Sequence, residues 1–183
     1  MTKFLNDVSD FVSRMISVAA KHSGPRRILQ ESQVDLVKCS LLEIRTQALD
    51  VNVASWDEAR CVVQLETRDD RDNDNVSFSM QGAGASLTIL SSEKSFYGAS
   101  LVLRLPSDGN ALGLKIRTKD GDVSIVDVDV KSIDAETESG DISIDRGTCE
   151  DARLFSRNGD VSARNTAVSN GIDMRSANGD VIR

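Results

Sequence analysis

A Gly-Asp pair recurs four times in the second half of this chain, and its regular spacing constrains the fold more than any other feature. The glycines are separated by 19, 19 and 20 residues. They are Gly121, Gly140, Gly159 and Gly179. Internal repeats of this length are typical of proteins in which one structural unit stacks on the next.

Apolar residues recur at fixed distances from each glycine: seven and five residues before it, and two residues after it. In that order they are Leu114, Ile133, Ala152 and Ile172, then Ile116, Ala135, Leu154 and Met174, then Val123, Ile142, Val161 and Val181. Because alternate residues of a strand share a face, each repeat is predicted to hold one strand that enters the turn and one that leaves it. Nine residues after the glycine, Cys149 takes a position held by Val130 and Val168 in the adjacent repeats, which predicts a packed, unreactive thiol.

The charged residues six positions before each glycine alternate in sign. They are Lys115, Asp134, Arg153 and Asp173. If equivalent strands lie parallel, in register and about 4.8 Å apart, each charge has neighbours of opposite sign, which is favourable. The sequence therefore predicts a mainly β fold, a parallel β-solenoid with one coil for each repeat of about 19 residues. In this arrangement Leu154 lies over Ala135, and Arg153 lies over Asp134.

A competing fold is compatible with the same strands. Asn158-Gly159 and Asn178-Gly179 are strong signals for two-residue hairpin turns. Such turns would pair the two strands that flank each glycine, and the repeats would then form an antiparallel meander. The sequence favours the solenoid and leaves this alternative open.

Each Gly-Asp pair has a mechanical interpretation. The glycine and the residue before it, such as Asn158, are predicted to supply the positive φ angle of a sharp turn. The aspartates that follow the glycines would form one column, and they are Asp122, Asp141, Asp160 and Asp180. Because like charges at that spacing repel, each carboxylate is expected to accept hydrogen bonds from N–H groups of the turns. A calcium ion bound among the four is the alternative, although the glycine-rich spacing of calcium-binding β-rolls is absent.

Residues 1–24 are predicted to form a separate unit. Between residues 3 and 21, apolar side chains recur every three or four positions, which predicts one amphipathic α-helix. They are Phe4, Leu5, Val8, Phe11, Val12, Met15, Ile16 and Ala19. Ser23-Gly24-Pro25 ends the helix. We expect the helix to act as a cap or docking element that precedes the solenoid, with Arg26 and Arg27 in a short linker.

The β-repeat domain is predicted to span residues 34–183, with regular repeats from about residue 112. Upstream of the repeats, a period of two predicts short strands around residues 42–44, 49–53, 63–65, 87–89 and 101–105. Residues 68–75 carry charges and amides at almost every position and are predicted to be a solvated loop. Gly82-Ala83-Gly84-Ala85-Ser86 lacks the lysine and the helix of a phosphate-binding loop, so it is predicted to be a turn that leads into a strand.

Charge and cysteine usage exclude several classes of function. The net charge of −7, from 22 basic and 29 acidic residues, argues against nucleic acid as a partner. Cys39, Cys61 and Cys149 are odd in number and far apart, and His22 is the only histidine. No disulfide framework, metal site or cofactor is therefore expected. No apolar stretch has the roughly 18 residues of a membrane span, and acidic residues interrupt the N-terminus where a signal peptide would be apolar, so a cytoplasmic location is predicted.

The pattern Ile-x-Thr-x-x-Gly-Asp-x-x-Ile, recurring behind Leu101-Val-Leu-Arg-Leu-Pro106, resembles the putative-adhesin family of bacterial β-strand-repeat domains. The resemblance covers about residues 34–183. It implies a β-solenoid of bacterial origin with a role at or near the cell envelope, which is the alternative to a cytoplasmic location. The family is a domain of unknown function, so the resemblance supplies no catalytic residues.

The sequence favours a non-enzymatic structural or interaction module over an enzyme. His22 stands beside the predicted helix end, no nucleophile elbow occurs, and the acidic residues repeat as a column instead of converging as a pair. The predicted partner is a protein or a glycan, bound by an outward column of the repeats. That column is Arg117, Glu136, Phe155 and Arg175. The alternatives are a plain spacer and a solenoid that binds calcium or hydrolyses polysaccharide with its aspartate column.

The end of the predicted solenoid has a consequence for assembly. Val181-Ile182-Arg183 follows the fourth turn directly, so the last coil would expose unpaired backbone groups. We expect homo-oligomerisation through this open end, cover by the N-terminal helix, or continuation of the array in a longer protein.

Overall fold

The structure is a computed structural model that describes residues 26–36, 38–67, 76–83, 86–92, 98–107 and 111–183. These residues form 13 strands and no helix, and so they contain no helix that could cross a membrane. The strands are β1 (Arg27–Val34), β2 (Leu41–Arg45), β3 (Asp50–Trp56), β4 (Cys61–Thr67), β5 (Ser77–Ala83), β6 (Ser86–Ser92), β7 (Ala99–Pro106), β8 (Gly113–Asp120), β9 (Val123–Asp129), β10 (Ser132–Ser139), β11 (Ile142–Asn158), β12 (Val161–Ser176) and β13 (Val181–Ile182). The helix predicted within residues 1–24 and the loop predicted at 68–75 lie outside the described residues.

All of these strands belong to one mixed sheet of near-barrel shape. Along its main path the order is β1-β4-β7-β3-β9-β11-β10-β8-β2-β6-β5, and β12 and β13 extend from β11. The long strand β11 pairs with β9 through its first half and with β10 through its second half. The sheet therefore curls, and its two halves enclose one common hydrophobic core.

Within the repeats the strands lie parallel, each displaced by one repeat from the next. β8, β10 and the second half of β11 pair in register, so Ala135 lies between Ile116 and Leu154. Asp134 pairs in the same way with Arg153. The predicted register is confirmed. The antiparallel meander is wrong, because the strands that flank each glycine pair with the neighbouring repeats instead of with each other.

The predicted purely parallel solenoid is nevertheless wrong as a description of this fold. β1 and β7 both pair antiparallel with β4, and β5 pairs antiparallel with β6. In addition, β6 pairs with β2 and β7 pairs with β3, each on the side that faces away from the repeats, although β6 and β7 come later in the chain than β2 and β3. A period of two is common to parallel and antiparallel strands, so periodicity could not separate them. The upstream strands also join the repeats across long separations, as when Val51 pairs with Val123, where no short repeat exists to be read.

The inward columns form the core. The predicted apolar positions are buried in the inner repeats, with Leu114, Ile116 and Leu154 each 1% exposed or less. A column of hydroxyls is buried beside them, and its members have internal partners. Thr137 donates to the carbonyl oxygen of Gly121 at 3.2 Å, and Ser156 donates to that of Gly140 at 2.8 Å. A buried hydroxyl that donates to a carbonyl avoids the cost of lost solvation, so these residues tie each repeat to the preceding one.

The two terminal strands of the main path, β1 and β5, are joined to each other, and we call this the closed end of the sheet. The side chain of Gln30 donates to the carbonyl oxygen of Phe78 and accepts from its N–H group, both at 2.9 Å. This amide joins the two terminal strands of the main path. Arg26, predicted to lie in a linker, instead forms an ion pair with Glu66 at 2.9 Å.

The edge formed by β12 and β13 is less covered among the residues that the structure describes. β13 pairs with β12 only at Val161 and Ser162, and Val181 and Ile182 are 49% and 41% exposed. Homo-oligomerisation through this end stays a prediction.

Candidate functional site

The Gly-Asp turns stack so closely that only glycine fits. A Cβ atom on Gly159 would lie 2.1 Å from the carbonyl oxygen of Gly140, and one on Gly140 would lie 2.3 Å from that of Gly121. Among the four repeat glycines, only Gly140 has a positive φ angle, at 152°. The predicted explanation by positive φ is therefore wrong for the other three, and close approach of the backbones is the reason for glycine.

The aspartates beside the glycines form a continuous hydrogen-bonded ladder. Oδ1 of Asp122 accepts from the N–H of Asp141 at 2.9 Å, and Oδ1 of Asp141 accepts from the N–H of Asp160 at 2.8 Å. Asp160 accepts in the same way from Asp180 at 2.8 Å. The predicted hydrogen bonding is confirmed, with the N–H supplied by the next repeat. Asp50, which starts the ladder by accepting from Asp122, could not be identified because it lies 72 residues upstream.

A metal site has no support from geometry in the part of the chain that the structure describes. No group of three or more His, Cys, Asp or Glu side chains there is arranged to hold a metal ion. Calcium binding by Asp122, Asp141, Asp160 and Asp180 stays an untested alternative. Each of the first three has one carboxylate oxygen bound to a backbone N–H.

The predicted binding residues share one surface, which we call the repeat face. It is the outward side of β2, β8, β10 and the second halves of β11 and β12. Its predicted binding column is continuous in the structure. Arg117 pairs in register with Glu136, Glu136 with Phe155, and Phe155 with Arg175.

Ion pairs hold several charged side chains of the repeat face. Arg117 contacts Asp134 at 2.6 Å and Glu136 at 3.2 Å. On β12, Arg175 contacts Asp173 at 2.9 Å. The acidic residues of β10 and β12 on both sides of Arg153 are thus already paired.

A further cluster lies at the β2–β8 side of the repeat face. Lys115 contacts Glu43 at 2.8 Å, and Arg45 contacts the same carboxylate at 3.0 Å. The hydrogen bond from Lys115 is the largest cause that lowers the pKa of Glu43, and it prevails over partial burial, which acts in the opposite direction. The carboxylate is therefore stabilised in its charged form.

The outward side chains of β11 differ from those of its neighbours. Arg153 and Arg157 are exposed, and Phe155 lies half-buried between them. We call these three residues the β11 strip. Although Arg153 pairs in register with Asp134, none of the ion pairs among the described residues involves Arg153 or Arg157. The sequence pattern predicts Phe155 as a binding residue and Arg153 as a member of an ion-pair ladder, and it gives no signal for Arg157.

A shallow depression of about 320 Å³ adjoins the β11 strip. It is lined by Glu136, Arg153, Leu154, Phe155, Asp173 and Arg175. A guanidinium group without an internal partner can donate paired hydrogen bonds to a carboxylate, and an aromatic ring beside it can pack against an apolar group. The site is therefore suited to bind a ligand that carries both.

A larger depression, of about 670 Å³, lies at the open edge of β12. Its lining includes Ala163, Val168 and Ile172, which continue the core columns, and Ile182 from β13. Within the part of the chain that the structure describes, it is the uncovered end of the core, and it lies away from the repeat face.

Cys61 and Cys149 are buried, and their thiols are not activated for reaction. Burial raises the pKa of Cys61 to about 12, and the nearby thiol of Cys39 adds to the effect. Burial also raises the pKa of Cys149, with a smaller contribution from Asp151. Cys149 pairs in register with Val168, as predicted, and its thiol is held in the unreactive protonated form.

Comparison with known proteins gives a family and a fold. A family model described as Toastrack DUF4097 matches residues 37–182. The chain is similar in structure to a putative cell adhesion protein from Clostridium sporogenes, with a TM-score of 0.54 and 6% identity over 85% of this chain and 98% of that one. A putative adhesin from Bacteroides fragilis aligns with a TM-score of 0.42 and 10% identity, over 88% of this chain and 98% of that one. No curated protein matches the chain.

Proposed function

This chain belongs to the Toastrack family of putative adhesin-like domains of unknown function, and from that premise we propose that it is a non-enzymatic interaction module. Its repeat face contacts a protein or a glycan at or near the bacterial cell envelope. The name of the Clostridium sporogenes protein, whose fold is similar, supports a role in adhesion.

The observation that carries the proposal is the order of the repeat face. Recognition is weakened when side chains must be immobilised on binding, so a surface that is already held in place has an advantage. In this face the strand register fixes the spacing of the columns, and Arg117, Lys115 and Arg175 are held by ion pairs. The depression beside Phe155 provides a place for a partner side chain or sugar ring.

Hydrolysis of polysaccharide by the aspartate column is less well supported by this geometry. Catalysis by carboxylates requires one that donates a proton and another that acts as a base or nucleophile. Oδ1 of Asp122, Asp141 and Asp160 instead accepts a backbone hydrogen bond, and the three carboxylates are equivalent members of one ladder. This role suits them for holding the turns together.

The proposal is tested with the purified chain immobilised on a sensor surface. Bacterial envelope fractions are passed over it, untreated, digested with protease, or oxidised with periodate to destroy glycans. The Phe155→Ser variant is compared with Arg164→Ala, which changes an exposed residue on the other half of the sheet.

We expect saturable binding that Phe155→Ser weakens at least tenfold and that Arg164→Ala leaves unchanged. Loss of binding after protease or after periodate identifies the partner as a protein or a glycan. Equal binding by the wild-type chain and Phe155→Ser would exclude the repeat face as the interaction surface.

A further inference from the structure

We infer that the β11 strip binds an extended acidic peptide with acidic residues at its first and fifth positions and an apolar residue at its third. This inference rests on the proposed interaction function and names the chemical class of the partner. It places the two carboxylates of the peptide on Arg153 and Arg157, and its apolar side chain on Phe155.

The distribution of charge on the repeat face supports an anionic partner. Arg117 engages two of the three acidic residues of β10 that border the strip, Asp134 and Glu136. On the opposite side, Arg175 engages Asp173. Arg153 lies between these pairs and takes part in no ion pair among the described residues.

Arg157 is in a similar position. The register places the exposed Glu138 of β10 beside Arg157, and no ion pair between the two occurs in the described residues. Both exposed guanidinium groups of the strip thus keep their donors for an external carboxylate. Arginine is well suited to this, because its planar group forms two parallel hydrogen bonds to one carboxylate.

The spacing of the strip favours an extended peptide. Arg153, Phe155 and Arg157 are alternate residues of one strand, so they project from the same face at steps of about 7 Å. An extended peptide lying along β11 projects its own alternate side chains at the same steps. Its third residue then packs against Phe155 and reaches the depression of about 320 Å³, while its first and fifth residues meet the two arginines.

The probe for this inference is a fluorescein-labelled peptide, Ser-Glu-Ser-Leu-Ser-Glu-Ser, and binding is measured by fluorescence polarisation. In the matched control peptide both glutamates are replaced by glutamine. We expect the glutamate peptide to bind at least tenfold more tightly and to be weakened by added NaCl, because salt screens exposed charges.

Variants locate the peptide on the strip. Arg153→Ala and Arg157→Ala are each expected to weaken binding about fivefold, which corresponds to about 1 kcal/mol for an exposed ion pair. Arg164→Ala, an exposed arginine on the other half of the sheet, should have no effect. The double variant R153E/R157E should lose the glutamate peptide and bind its lysine counterpart instead. Unchanged melting curves would show that all variants are folded.

Three outcomes would overturn the inference. The first is equal affinity for the glutamate and glutamine peptides, and the second is equal effects of Arg153→Ala and Arg164→Ala. The third is binding of an oligomer of acidic sugars, sensitive to Arg153→Ala, by a chain that does not bind the peptide. None of them touches the broader interaction function, which fails if envelope material does not bind or if its binding is insensitive to Phe155→Ser.

Discussion

Replacing Gly159 by alanine tests whether close stacking of the turns holds the repeats together. The added Cβ atom would lie 2.1 Å from the carbonyl oxygen of Gly140, and ordinary van der Waals contact begins at 3.4 Å. The obstructing atom belongs to the backbone, so no side-chain rotation relieves the overlap. The two turns must separate by about 1 Å, which is the shortfall between these two distances.

The cost follows from the hydrogen bonds that cross this point. Ser156 donates to the carbonyl oxygen of Gly140 at 2.8 Å, and Gly140 donates to that of Asn158 at 3.1 Å. Asp160 donates to the carboxylate of Asp141 at 2.8 Å. A separation of about 1 Å weakens or breaks all three, and at about 1 kcal/mol each the expected loss of unfolding free energy is about 3 kcal/mol.

The free energy is measured by urea unfolding followed by circular dichroism. For a chain of this size the loss corresponds to a decrease in Tm of about 6–12 °C. Gly171→Ala is the matched control, because a Cβ atom there would meet nothing within 4 Å and the φ angle is not left-handed. The control should lie within about 1 kcal/mol of the wild-type chain. A Gly159→Ala variant as stable as the control would refute the stacking argument.

Three further predictions concern the ladder, the closed end and a buried thiol. Asp141→Ala removes an acceptor from the ladder and should cost about 1 kcal/mol in urea unfolding, whereas Asp141→Asn keeps an acceptor and should cost less. Gln30→Leu breaks both hydrogen bonds to Phe78, so the Phe78 amide should exchange its hydrogen faster, as seen by NMR, while exchange in β10 is unchanged. The pKa of Cys61 is raised from its ordinary value of 9.0 to about 12, so its contribution to stability is complete below pH 9 and is lost as the pH rises towards 12. A Cys61→Val variant should lack this decrease, and a pH dependence identical to that of the wild-type chain would contradict the assignment.

The repeats could be predicted because their partners recur at a constant separation. Once Leu154 is assigned to the same column as Ala135, every other column of the repeats follows, including the burial of Cys149. The closed end had no such signal. Gln30 and Phe78 are 48 residues apart, and no periodicity of the sequence predicts the side-chain hydrogen bonds that join them.

The binding surface was predictable only in part. Register places Phe155 and Arg175 in one column, as expected. Which cation pairs with which acid depends on the reach of the side chains, and Arg117 extends to two carboxylates at once. Arg153 is in none of the ion pairs of the described residues, and this could be recognised only from the arrangement of its neighbours.

The hydrogen bonds of the hydroxyl and carboxylate side chains join each turn to the next in the same way, so every repeat can accept another repeat on top of it. Duplication of one complete 19-residue unit would therefore lengthen the array by about 4.8 Å, add a new set of outward positions and keep all existing columns aligned. An insertion of an odd number of residues within a strand would instead move the following side chains to the opposite face of the sheet. Because the strands joined by Gln30 lie at the far side of the sheet, such growth leaves them untouched. The exposed surface can therefore grow or shrink by whole repeats during evolution, while the strands joined by Gln30 stay the same.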